Sequence, residues 1–177
     1  MGGIVVMQIR KATPLDAEGI ARVHVESWKS TYINIVPEDF LKNLSYEKRV
    51  EYWYSAIPDG EVYVAKNEEG EVIGFASGGK ERSRKYPKYN GELYAIYILQ
   101  EYQGKGVGKL LIKPIVKELK RQGISSMLVL VLEDNPSRKF YEKLGAKKID
   151  SIIVEIGGVQ LNELVYVWED IDLLAYE

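Results

Sequence analysis

Two apolar, β-prone runs, "ELYAIYIL" (residues 92–99) and "SMLVLVL" (residues 126–132), constrain this chain most. Between them lies a helix-period segment, residues 107–122, closed by Gly123. Two strands joined through a helical connection of that length can pair in parallel. Elsewhere the signals are those of hairpins. "EVYVAK" and "EVIGFAS" flank the turn "NEEG", and "AKKIDSIIVEI" and "VQLNELVYVWED" flank "GG". Hairpins are antiparallel, so the chain is expected to form a mixed α/β (α+β) sheet. Most of it is antiparallel, one strand pair is parallel, and helices flank it.

The remaining elements follow from local punctuation. "QIRKAT" (8–13) alternates as a short strand. Thr13 and Pro14 open a helix in which Ile20, Val23 and Ser27 share a face. Pro37 marks a new start, residues 45–57 form a second capped helical segment, and residues 80–91 form a polar, basic loop. In "NPSRKFYEKLG" (135–145), Asn135 caps, Pro136 takes the first position and Gly145 ends the helix. The expected order is β-α-α-β-β-β-α-β-α-β-β. No repeat or linker interrupts the 177 residues, which read as a single domain, 1–177, with its core at about 8–170.

Composition removes several function classes. There is no cysteine and one histidine, His24, so thiolate zinc sites, cysteine nucleophiles and multi-histidine metal sites are excluded. A formal net charge of -2 makes no electrostatic case for nucleic acid or an anionic membrane. No apolar run reaches the ~18–20 residues of a membrane span. The start, "MGGIVVMQIR", lacks a charged n-region, and Val6 fails the myristoylation pattern after Gly2. Met7 offers an alternative start. A cytoplasmic protein is expected.

The stretch "EYQGKGVGKLLI" (101–112) places three glycines where a helix is about to begin. It is not a P-loop, because Gln103 and Leu110 stand where that motif needs glycine and a hydroxyl residue. Nor is it a dinucleotide fingerprint, since the glycine spacing is one residue short. What remains is a strand, a glycine turn and a helix start. There, free amides and the positive helix end suit an anion, and Lys105 and Lys109 add charge.

"YQGKGVG" also matches the Q/R-x-x-G-x-G/A signature of the GNAT superfamily of N-acetyltransferases, with Gln103, Gly106 and Gly108 at its fixed positions. "NPSRKFYEKLGAKK", about thirty residues on, is similar to the family's second signature. The element order agrees over nearly the whole chain. Gln100 departs from the proline often found before "EY".

The resemblance implies an acetyl-CoA-dependent N-acetyltransferase. Gln103, Gly104, Lys105, Gly106, Val107, Gly108 and Lys109 would cradle the pyrophosphate of the cofactor. Its pantetheine arm would lie along residues 92–99, on the backbone of Ile96 and Ile98, where that strand splays from residues 126–132. Asn135 and Tyr141 would contact the arm. An amine attacking a thioester needs a deprotonated nitrogen, donors for the oxyanion and a proton for the leaving sulfur. The Ile98 amide is the implied oxyanion donor and Tyr141 the implied acid. By itself, Tyr141 among thirteen tyrosines reads as a packing residue.

A base is harder to find. Strict alternation puts Glu92, Tyr94, Ile96 and Ile98 on one strand face and Leu93, Ala95, Tyr97 and Leu99 on the other. Glu92 is a candidate base acting through water, although an exposed strand-end charge is the plainer and favoured reading. A lone His24 reads as structural, and Tyr94 or Tyr97 is a candidate for holding a water. Glu26, Trp28 and Tyr32, with Trp53, are the expected acceptor-binding residues; core packing is the competing reading for the tryptophans. The expected acceptor is a small primary amine or polyamine. The alternatives are a protein N-terminus or lysine, or a CoA-binding module without turnover. Monomer and homodimer both remain open.

Overall fold

A computed structural model of the chain describes residues 7–174. The readings of the first six residues lie outside the described residues. Strand β1 (Gln8–Lys11) leads through a 3-10 turn into α1 (Ala17–Thr31), followed by α2 (Glu38–Lys42) and α3 (Tyr46–Ala56). Then come β2 (Glu61–Lys66), β3 (Val72–Lys80), β4 (Gly91–Ile98), α4 (Val107–Arg121) and β5 (Met127–Leu132). The chain ends in α5 (Ser137–Lys143), β6 (Lys147–Ile156) and β7 (Val159–Trp168). The short α2, started by Pro37, is the one helix missing from the order read off the sequence.

The seven strands form one sheet in the order β1-β2-β3-β4-β5-β7-β6. Every pair is antiparallel except β4 with β5. Local chemistry sets the ends as expected. The Ser45 side chain accepts from the Lys48 amide at 3.2 Å to open α3. The Asn67 side chain accepts from the Glu71 amide at 2.9 Å to close the β2–β3 turn. Helix α4 runs through Pro114, which removes one intrahelical donor.

The sheet has two dressed faces. On one, α4 packs its buried side, including Leu111, Ile115 and Leu119. On the other, α1 and α3 bring His24, Trp28 and Trp53 against Phe75 and Tyr97. A bulge decides which β4 side chains reach which face. Ser77 pairs with Ala95 but Gly78 pairs with Leu93, so Tyr94 is the extra residue. A Cβ on Gly78 would meet Ile115 of α4 at 2.7 Å, whereas one on Gly79 would meet the Tyr94 hydroxyl at 2.7 Å. Glu92, Tyr94, Ala95 and Tyr97 therefore share the α1–α3 face, and Leu93, Ile96 and Ile98 share the α4 face. Strict alternation fails at Tyr94, and this corrects the face assignment expected above.

Candidate active site

The parallel pairing of β4 with β5 is short. It joins Gly91, Glu92 and Leu93 to Met127, Leu128 and Val129, and then ends. Beyond it, β4 continues to Ile98 bonded to β3 alone among the described residues. The Leu99 amide donates to Ile73 of β3 at 2.9 Å. By strand alternation the Ile98 amide points the other way, into the gap beside β5, and so does that of Ile96. The Ile98 carbonyl on that side accepts from the Gln103 side chain at 3.0 Å. Gln103 thus ties the glycine loop to the splayed strand.

The three loop glycines serve two different ends. Gly104 and Gly106 have φ of 76° and 82°, a region that excludes most side chains, and nothing lies within 4 Å of where their Cβ would be. Gly108 has an ordinary backbone, and a Cβ there would meet the Phe140 ring at 2.7 Å. Two glycines shape an open cradle, and the third admits the ring of α5. The Leu110 amide bonds the Gly106 carbonyl at 3.3 Å, so the α4 amides before it lie at the open helix end. Lys105 lies 5.7 Å from the centre of the Tyr102 ring.

At the gap, the C-terminal end of α1, strand β4 and the α5 segment bring polar side chains together. The Trp28 indole donates to the Tyr97 hydroxyl at 3.0 Å, and the Asn135 amide donates to the Tyr32 hydroxyl at 3.0 Å. Asn135 also accepts from the Ser137 amide at 2.8 Å, so its cap role holds. Tyr141 on α5 is buried edge-on against Trp168. Burial, then Tyr32, pushes its phenol well above the ordinary range. Its hydroxyl makes no hydrogen bond among the described residues.

On the α1–α3 face a cleft of about 390 Å³ opens beside Tyr97, lined among others by His24, Trp28, Arg49, Trp53, Arg82 and Tyr94. His24 accepts from the Trp53 indole at its Nδ1, 3.2 Å away, which puts the proton of the neutral ring on Nε2. Burial, and then Arg49, lowers its pKa to about 4. The ring is therefore neutral near pH 7 and has no free acceptor nitrogen.

Not every expected residue comes to this site. Glu26 is exposed on α1 and does not line the cleft. Glu92 is not an exposed strand-end charge: it is 3% exposed, and it accepts from the Arg82 amide at 3.1 Å and the Arg82 guanidinium at 2.9 Å. Arg82 in turn lies 4.0 Å over the Tyr94 ring. Trp28 and Tyr32 do meet, with ring centres 4.4 Å apart. The sequence reading missed Arg82, Arg49 and the β7 carboxylate Glu163. For Glu163 a signal existed, since it stands at apolar parity in "VQLNELVYVW".

A model of the Acetyltransferase (GNAT) family matches residues 25–146. The chain is 41% identical over 169 residues to the uncharacterized N-acetyltransferase YuaI of Bacillus subtilis (strain 168), covering 96% of each. It is 28% identical over 152 residues to the spermidine N(1)-acetyltransferase of Thermoplasma acidophilum, covering 82% of this chain and 91% of that one. The crystal structure of the PaiA N-acetyltransferase from Thermoplasma acidophilum in complex with coenzyme A superposes with a TM-score of 0.69 at 25% identity, covering 92% of this chain and 98% of that one. The chain belongs to the GNAT acetyltransferase family and is an acyltransferase.

Proposed function

We propose that this protein transfers an acetyl group from acetyl-CoA to the primary amine of a small molecule or polyamine. The observation that carries the reading is the junction of the open glycine cradle with the splayed β4 edge, tied by Gln103 to Ile98. The residues present fit the cofactor. Gly104 and Gly106 leave space for a pyrophosphate, the α4 start supplies amides, and Lys105 supplies charge. The free edge at Ile96 and Ile98 suits an amide-bearing arm. Both polar ends of the Asn135 side chain are engaged, by Tyr32 and Ser137. Each end keeps one further bonding position, so Asn135 can hold Tyr32 at the gap and also contact the cofactor arm.

When bound, acetyl-CoA supplies an activated acetyl thioester. The Ile98 amide faces the gap as a donor for a carbonyl oxygen. Tyr141 keeps its proton at neutral pH, as an acid for a departing thiolate must. Glu92 is held by Arg82 and the neutral His24 has its acceptor nitrogen occupied, so neither is offered as a base. The resemblance to a spermidine N(1)-acetyltransferase supports an amine acceptor of polyamine type.

The test is release of free thiol from acetyl-CoA against a panel of primary amines. Release with at least one amine is expected; none would leave the acetyl-transfer reading without support. Tyr141→Phe is expected to lower kcat by roughly tenfold or more while leaving the Kd for acetyl-CoA within twofold. Unchanged kcat would remove Tyr141 from the reaction.

A further inference from the structure

One face of β7 runs Val159, Leu161, Glu163, Val165, Val167, a row that is apolar but for its middle member. Its register partners confirm the face. Leu161 packs with Tyr32, Trp28 and Leu132, while Val165 and Val167 pack with Leu128, Leu130, Tyr86 and Tyr89. Glu163 lies between the two clusters, opposite Leu132 of β5 and Ile152 of β6. Leu132 is the last residue of β5, so Glu163 flanks the end of the strand that borders the gap. Among the described residues this carboxylate has no ion pair and no hydrogen bond.

Desolvating a carboxylate without a partner costs stability. Burial, and then Glu92 of β4, lift its carboxyl above the ordinary range. The other groups that feel its charge are the hydroxyls of Tyr32, just after α1, and Tyr86 on the β3–β4 loop. Among the described residues no cation pairs with it, and Arg82 is engaged by Glu92. The aromatic rings of Trp28 and Tyr32 belong to the cluster on one side of it. A carboxylate next to aromatic faces is the chemistry that recognises an organic cation.

We propose that Glu163 is the acceptor-recognition residue of this site and selects amines that carry a second positive charge over singly charged or acidic ones. This rests on the acetyl-transfer reading above. The carboxylate is kept at a cost to folding because the acceptor supplies its counter-charge.

The test compares wild type with Glu163→Gln, using spermidine, 1,4-diaminobutane, n-butylamine and L-glutamate as probes. Wild type is expected to favour the di- and polyamine over n-butylamine by at least tenfold in kcat/KM. Glu163→Gln should collapse that ratio to within about twofold through KM, with the thermal shift by acetyl-CoA unchanged. Its own melting temperature should equal or exceed that of wild type. A ratio that survives the substitution overturns the proposal. So does a wild-type preference for L-glutamate, or turnover of none of the four. A clear fall in melting temperature would make Glu163 a structural residue instead. Failure of acetyl-CoA to stabilise either protein would locate the fault in the acetyl-transfer reading itself, and the proposal would fall with it.

Discussion

The α4 face of the gap and the α1–α3 face are built in different ways. The first is built from backbone: two left-handed glycines, a helix start and a strand edge left unpaired among the described residues. The second is built from side chains gathered from distant segments. His24 meets Trp53, Trp28 meets Tyr97, Asn135 meets Tyr32, and Glu163 stands near that cluster. A backbone site needs a local pattern of residues and tolerates little variation in it. A side-chain site sets specificity and is assembled only by the fold.

Perturbing each face separately sharpens that contrast. The largest effect is expected from His24, whose pKa of about 4 lies below the ordinary 6.5. The unfolded chain binds the proton more tightly, so this stability is full above pH 6.5 and is lost as pH falls toward 4. The amount is up to about 3 kcal/mol. Urea melts at pH 7 and pH 4.5 should show His24→Asn to be less pH-sensitive than wild type. An equal pH dependence in both would mean that His24 is not held neutral by its surroundings.

Arg82→Ala should destabilise by about 1–2 kcal/mol, because it leaves the buried Glu92 carboxylate with only the main-chain amide of residue 82. Adding Glu92→Gln should recover most of that loss in denaturant melts. No recovery would mean that the cost comes from Arg82 packing on Tyr94.

The glycines divide the cofactor face itself. Gly106→Val forces a β-branched residue to a φ of 82° and is expected to weaken acetyl-CoA binding by about 100-fold. Gly108→Ala instead crowds Phe140 and should cost roughly 1–2 kcal/mol of stability, relieved by Phe140→Leu. Calorimetry and melts on the two variants separate the roles; similar binding losses in both would erase the distinction.

The strands, the hairpins, the glycine loop and the Asn135–Gly145 punctuation were all legible in the sequence because each is specified by neighbours within a few residues. Four features were not. The bulge at Tyr94 reverses the face of every later β4 side chain, and nothing in "ELYAIYIL" announces it. Glu92 looked exposed because its partner, Arg82, sits in a loop whose path the sequence does not give. The purpose of Gly108 depends on a ring thirty-two positions away, that of Phe140. Glu26 read as an acceptor residue from its place two positions before Trp28, but helix positions two apart face different ways. Glu163 was legible in principle, since a charge at apolar parity in a strand calls for a reason.

The most direct test is the melting temperature of the wild-type protein with and without acetyl-CoA at about 100 times its Kd. Binding to the folded state alone should then add about 2.7 kcal/mol, a rise of roughly 5–10 °C for a chain of this size. That rise, cut to roughly 1 °C in Gly106→Val, is the expected result. No rise at saturating acetyl-CoA would contradict the assignment of the glycine cradle and the splayed β4 edge to a cofactor, and with it the proposed function.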